Sequence, residues 1–273
     1  MKDLTIMKNY RQPQVFYFFS LVIPWAIWFW VAHLSHRYPE QHMIVAGVGS
    51  LLGLIAPLVI AMVLILNEEK LRKDFIGRLL NWRSVSSSYL IIAVLLMPTS
   101  ILVAQLISLF FGYGPEQFEF REGYSFSSGI LPVWLILLLA PVVEELAWHS
   151  YGTDCLRNRM SLLKTSLLFA FFWGIWHLPL SYIKNYYHSN LVESGIIYSI
   201  NFFLSLFPFV LIMNWLYYQA NRNILIPILF HLCAGFFNEI FATHPMSKVI
   251  QTGLLILLSI VLINNDKTFF LKH

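Results

Sequence analysis

Eight long apolar runs, separated by short linkers, are the feature that most restricts how this chain can fold. A transmembrane helix needs about 20 mostly apolar residues, because lipid offers no partner for an unbonded backbone group. The runs lie at roughly 15–34, 43–66, 89–111, 130–151, 164–183, 195–219, 224–242 and 247–264. We therefore expect an all-α fold, a polytopic membrane helix bundle of about eight transmembrane helices that forms a single domain over residues 1–273.

The composition agrees with a protein that has the lipid bilayer as its main partner. Of 273 residues, 58% are hydrophobic and 12% are charged, about half the charged fraction of a soluble domain. The net charge of +4 is spread over short loops, so no nucleic-acid partner is expected. Cys155 and Cys233 lie in different segments and form no disulfide framework or thiolate metal motif.

Lysine and arginine predict the orientation of these helices, because they are enriched on the cytoplasmic side of membranes. With the N-terminus in the cytoplasm, 14 of the 18 basic residues fall on the inside. We expect an integral, multi-pass protein of a bacterial-type cell membrane with both termini cytoplasmic. The first apolar run lacks a small-residue cleavage site and is interpreted as a retained helix rather than a signal peptide.

The basic segment at residues 67–84 has two interpretations. Its apolar residues recur at helical spacing and its basic residues cluster off that stripe, which is typical of an amphipathic helix on an anionic membrane surface. An ordinary basic cytoplasmic loop would have the same composition. The apolar residues are Leu71, Phe75, Ile76, Leu79 and Trp82.

Ionisable residues inside the predicted spans are the strongest functional signal. Each costs on the order of 3 kcal/mol in the bilayer core, so such groups are expected to face one another or water. Three of the 14 acidic residues lie in spans, and several histidines join them. The residues are Glu144, Glu145, Glu239, His149, His177 and His231. We expect Glu144, Glu145, His177 and His231 to form one cluster.

Helix geometry assigns different roles to the two adjacent glutamates. Successive residues of a helix are about 100° apart, so Glu144 and Glu145 point in different directions. Glu145 and His149 are four residues apart and can pair. The same spacing puts Trp173 beside His177.

A carboxylate and two imidazoles in a dry pocket are compatible with three kinds of chemistry. A glutamate can activate water for peptide hydrolysis while imidazoles hold that water and stabilise the oxyanion. Glu144, His177 and His231 could instead hold a divalent metal such as zinc, although the H-E-x-x-H signature is absent. Buried carboxylates and histidines also serve proton relays, and a lone membrane histidine is often only a link between helices.

Three stretches resemble the CPBP intramembrane protease family, also called Abi, which includes type II CAAX prenyl endopeptidases. They are "EELAWHSYG", "FFWGIWHLPL" and "ILFHLCAGFFNE", and the resemblance covers about residues 70–242. It implies that Glu144 activates water with the help of His177. It further implies that Glu145 orients its neighbours and that His231 contributes to the oxyanion site. The resemblance leaves open whether a metal takes part.

The chain departs from the family pattern at two positions. His149 stands where the pattern has arginine, and Gly235 stands where it has asparagine. Asn238 lies on the same face as Gly235, about 4.5 Å further along the axis, and could substitute. Trp173 stands where many relatives have phenylalanine, which is expected to be harmless.

The expected function is an intramembrane endopeptidase that cleaves a membrane-associated peptide or protein, with a site that opens toward the cytoplasm. A catalytically inactive membrane scaffold or regulator is the alternative, and a proton-coupled transporter is the third possibility. The shared site requires His177 to reach the same depth as Glu144, although the predicted helix ends place the two at different depths.

Overall fold

The computed structural model describes residues 4–37, 43–81, 83, 85–124, 126 and 131–272. These ranges hold twelve α-helices and no β-sheet, so the all-α prediction is confirmed. The helices are α1 (Pro13–Arg37), α2 (Met43–Leu66), α3 (Glu69–Leu80), α4 (Ser87–Leu109), α5 (Val133–Ala147), α6 (Thr153–Arg157), α7 (Leu162–Trp176), α8 (Tyr187–Ser194), α9 (Ile196–Gln219), α10 (Leu225–Ile240), α11 (Pro245–Asn265) and α12 (Lys267–Leu271). Trp82 and residue 130, which belong to predicted helices, lie outside the described residues.

Six of the eight predicted spans are long and apolar enough to cross a membrane. They are α1, α2 from Ile44, α4, the continuous stretch Val133–Arg157, α9 and α11. The other two exist as helices but are shorter than predicted. The 15 residues of α7 are followed by a 3-10 turn and then α8, bent by 84°. The 16 residues of α10 span about 24 Å, less than the roughly 30 Å of a hydrocarbon core.

The stretch Val133–Arg157 is continuous because a π-helical turn, Trp148–Gly152, joins α5 to α6. Trp148 is fully buried in this turn. Its ring packs on Phe16 of α1 at 5.9 Å between centroids and on Phe169 of α7 at 5.7 Å. Aromatic packing on both sides therefore holds the turn between two neighbouring helices.

The segment at residues 67–84 contains a helix, α3, rather than an ordinary loop. Leu71 is buried, whereas Arg72 and Lys73 are exposed, as an amphipathic helix requires. The prediction that basic residues lie off the apolar stripe is wrong for Arg78, which is 7% exposed. Arg78 follows Leu71 by seven residues, two helical turns, and so shares its buried face.

A buried network of charges anchors α3 to the rest of the bundle. Arg222, in the α9–α10 loop, contacts Asp154 of α6 at 2.5 Å and Asp74 of α3 at 2.9 Å. Arg78 contacts Asp154 at 3.1 Å. Burial lowers the pKa of Arg222, but Asp154, Tyr217 and Asp74 together more than compensate and keep that pKa above the ordinary arginine value. Mutual pairing is what allows these charges to be buried.

Candidate active site

The two adjacent glutamates of α5 have different surroundings. Glu144 lines a cavity of about 300 Å³, a size typical of a small ligand site. Glu145 lies behind it with no exposed surface. The difference follows from the rotation of about 100° between successive helical residues. The prediction that the two carboxylates have different roles is in keeping with this geometry.

Glu145 is held between two imidazole rings. His231 Nδ1 lies 2.8 Å from Glu145 Oε1, and His149 Nδ1 contacts Glu145 Oε2. The predicted pair between Glu145 and His149 is therefore present. An ionised carboxylate only accepts hydrogen bonds, so each Nδ1 carries a proton and donates it. Glu145 thus sets the ring orientation of both histidines.

The second nitrogen of His149 is also bonded. His149 Nε2 lies 2.9 Å from Asn214 Oδ1, while Asn214 Nδ2 donates to Ser166 Oγ at 3.0 Å. Both nitrogens of His149 therefore have a hydrogen-bonding partner. His149 contacts Glu145 from the position where the family pattern has arginine. Asn214 was not predicted from the sequence, because only the fold brings α9 to His149 in the π-helical turn.

Glu144 has a bonding partner that the sequence analysis underestimated. Trp173 Nε1 donates to Glu144 Oε2 at 2.9 Å. The tryptophan that was expected to be a harmless replacement for phenylalanine therefore adds a hydrogen-bond donor to the carboxylate. The indole N–H, which phenylalanine lacks, was the signal in the sequence. Trp173 holds Oε2 of a carboxylate that lines the cavity.

His177 lines the same cavity as Glu144 and His231. Its Nδ1 donates to the carbonyl of Trp173 at 2.7 Å, so a neutral ring has its lone pair on Nε2. The depth conflict disappears because helical structure continues past residue 151 to Arg157. Glu144 then lies about 20 Å from that end, and His177 about 22 Å from the start of α7.

The cavity opens among helix ends that the basic-residue pattern places outside the cell. Tyr186 and His188 line it, as does Lys248 near the start of α11. At the opposite end of the bundle lies the buried network of Arg78, Asp154 and Arg222. Two expectations therefore exclude each other in this fold. If the N-terminus is cytoplasmic, the site does not open toward the cytoplasm.

Gly235 and Asn238, on one face of α10, both line the cavity. A Cβ atom at Gly235 would meet nothing within 4 Å, so this position has room for a side chain but offers no donor. Asn238 Nδ2 donates to the Ala234 carbonyl of its own helix at 2.9 Å. Asn238 was expected to supply the donor that Gly235 lacks. The bond to Ala234 occupies one of its two amide hydrogens.

No three His, Cys, Asp or Glu side chains in the described part of the chain are placed to hold a metal ion. Glu144, His177 and His231 share the cavity without forming such a group. The zinc site considered from the sequence is therefore not preassembled among the described residues.

Arg78 is a further residue near the site that the sequence analysis missed. Its guanidinium donates to the carbonyls of His149 and Ser150 in the π-helical turn, each at 2.8 Å. Tyr217 Oη donates to the His149 carbonyl at 2.9 Å. The signal was its spacing from Leu71, which puts Arg78 on the buried face of α3.

Comparison with known proteins agrees with this geometry. The family model described as "Type II CAAX prenyl endopeptidase Rce1-like" matches residues 126–237, a range that contains Glu144, Glu145, His177 and His231. CAAX prenyl protease 2 of Methanococcus maripaludis is 36% identical over 272 residues, which cover 98% of this chain and 99% of that protein. The family resemblance is confirmed: this chain belongs to the Rce1-like type II CAAX prenyl endopeptidases, intramembrane proteases.

Proposed function

We propose that this integral membrane endopeptidase uses Glu144 to activate the attacking water, with His177 and His231 as its partners. The observation that carries the proposal is that these three side chains line one cavity while Glu145 is locked behind it. Trp173 Nε1 donates to Oε2 of Glu144, and Glu144 lines the cavity where a water molecule can meet its carboxylate. Glu145, with both oxygens occupied by imidazoles, acts as an orienting group.

The reaction follows from the available atoms. Glu144 accepts a proton from water, and the lone pair on His177 Nε2 orients that water. The oxygen of the water bonds to the carbonyl carbon of the scissile peptide. The intermediate then collapses, the C–N bond breaks, and Glu144 returns the proton to the leaving nitrogen. Water is thereby divided between the new carboxyl group and the new amine.

His231 is placed to stabilise the oxyanion of the intermediate. Its Nδ1 is bonded to Glu145, so Nε2 donates into the cavity only when the ring carries two protons. The charge of Glu145 compensates the resulting imidazolium. A donor directed at the developing oxyanion is usually the largest single contribution to such a reaction.

The substrate class follows from the relative and from the cavity wall. The relative is a CAAX prenyl protease, so we infer a substrate with a prenylated cysteine near its carboxyl end. The cavity lining includes apolar side chains, as a lipid chain requires, among them Ile136, Leu137, Leu191 and Phe202. The basic-residue pattern still predicts cytoplasmic termini.

Cleavage of a prenylated peptide by purified protein in detergent tests this proposal. Wild type is expected to release a carboxyl-terminal fragment, and Glu144→Gln is expected to release none. Activity that survives a strong chelator agrees with glutamate-activated water, whereas activity that a chelator abolishes and zinc restores would overturn the metal-free mechanism.

A scaffold without catalytic activity is favoured by one observation, the absence of a side-chain donor at Gly235. If wild type and Glu144→Gln are equally inert over a broad peptide library, the endopeptidase mechanism is refuted and the scaffold is retained.

A further inference from the structure

We propose that Lys248 binds the free carboxylate of the substrate and measures three residues from the scissile bond to the carboxyl end. This inference rests on the proposed function and adds a binding site to it. Lys248 is half-buried, and no other lysine or arginine of the described chain lines the cavity. Its Nζ donates to the Asn238 carbonyl at 3.1 Å, which occupies one of its three N–H bonds.

The distance between Lys248 and the reacting groups is set by α10. His231 and Asn238 are seven residues apart on this helix, an axial separation of about 10.5 Å. Lys248 Nζ lies next to the backbone of Asn238. Three extended residues span about 10–11 Å, so a peptide cleaved beside His231 brings its third carboxyl-terminal residue to Lys248. Three is also the number of residues that follow the cysteine in a CAAX sequence.

His188, which lines the cavity, has polar atoms without partners. Both ring nitrogens of His188 are shielded from solvent and have no hydrogen-bond partner among the described residues. The His188 ring lies 5.0 Å from that of His177 and 5.3 Å from that of Tyr187. Tyr187 in turn lies 5.9 Å from Lys248 Nζ. These nitrogens are costly to bury without a partner, so a substrate group that displaces a covering side chain would gain a hydrogen bond to them.

The charges around Lys248 define what it can bind. Glu239, adjacent to Asn238 on α10, is the acidic residue that lines this end of the cavity and is 4% exposed. An ammonium with two remaining N–H donors favours an acceptor with two oxygens, and a carboxylate forms the strongest such bonds. A carboxyl-terminal amide has the same size but no charge, so it tests this contact alone.

The experiment measures binding of Val-Leu-Ser as the free acid and as the carboxyl-terminal amide. Calorimetry with the Glu144→Gln protein removes the complication of turnover. A hydrogen bond to a charged group is worth about 10-fold to 100-fold in affinity, which is the expected preference for the acid. Lys248→Met is expected to abolish this preference, and Lys248→Arg is expected to keep most of it. The exposed Lys184 is the matched control, because Lys184→Met removes a charge at the same end of the molecule outside the cavity.

The outcomes separate this inference from the proposed function. Equal binding of acid and amide to the parent protein, or an unchanged preference in Lys248→Met, would overturn the role of Lys248. A preference for the acid together with no cleavage by wild type would overturn the endopeptidase and leave the carboxylate site standing. If Lys248→Met does not fold, the affinities of the parent protein for Leu-Ser, Val-Leu-Ser and Ala-Val-Leu-Ser decide. The proposed three-residue spacing requires the tripeptide to bind most tightly.

Discussion

Replacing Trp173 by phenylalanine tests whether the indole N–H contributes to catalysis by holding Glu144. The change removes the 2.9 Å bond to Glu144 Oε2 and keeps an aromatic ring that can still stack on Phe169, whose centroid lies 5.8 Å away. A hydrogen bond to a charged acceptor contributes about 1.5–3 kcal/mol, or about 10-fold to 100-fold in rate. We expect kcat/KM for a prenylated peptide to fall by that factor, because the carboxylate is no longer fixed toward the water.

Trp176 provides the matched control. It is on the same helix, is as deeply buried as Trp173, and its indole nitrogen has no hydrogen-bond partner within the described chain. Trp176→Phe therefore removes the same volume without removing a bond to Glu144. Both variants are expected to lower the unfolding temperature by similar amounts, and only Trp173→Phe is expected to lower kcat/KM. Equal losses of activity in the two variants would refute the reasoning, since packing would then explain the effect.

Three further substitutions test the surrounding structure. Glu145→Gln is expected to lower kcat by up to about 10⁴-fold with little change in KM. That is the size of effect seen when an orienting carboxylate behind a catalytic imidazole becomes an amide. Steady-state kinetics would measure it, and a near-normal kcat would contradict the orienting role. Gly235→Asn is expected to raise kcat by up to about 10²-fold, because it adds a donor where a side chain meets nothing within 4 Å; Gly235→Leu fills the same space without a donor and should give no gain. Arg78→Met is expected to cost about 3–5 kcal/mol of stability in denaturant unfolding, because it leaves Asp154 without one of its two cations. Arg72→Met, at an exposed position, should change the free energy of unfolding by no more than about 0.5 kcal/mol. Equal losses in the two variants would show that the buried network does not account for the stability that α3 adds.

The features predicted correctly from the sequence are those that depend on neighbouring residues. Apolar runs identify helices because a helix satisfies its own backbone, whatever surrounds it. The pair between Glu145 and His149 follows from a spacing of four residues on one helix. The confinement of acids to three intramembrane positions likewise pointed to α5, since buried charges need partners.

The features that were missed depend on contacts between distant segments. Asn214 bonds to His149 across 65 positions of sequence, and Arg78 bonds to the His149 carbonyl across 71. The π-helical turn that extends the α5 stretch to Arg157 is stabilised by those same contacts. A prediction from hydrophobicity alone therefore placed the end of this helix near residue 151. The error in depth for His177 was therefore an error about the end of another helix.

The division of labour between Glu144 and Glu145 is a consequence of where an α-helix places consecutive residues in a bundle. Rotation by about 100° turns one carboxylate toward a cavity and the next toward His149 and His231. Each oxygen of Glu145 accepts a hydrogen bond from one of these imidazoles. Glu144 lines the cavity, where a general base can reach water. Where the family pattern has arginine, His149 changes the side chain that bonds to Glu145 and leaves Glu144 and its cavity intact, whereas Gly235 removes a group from the cavity itself.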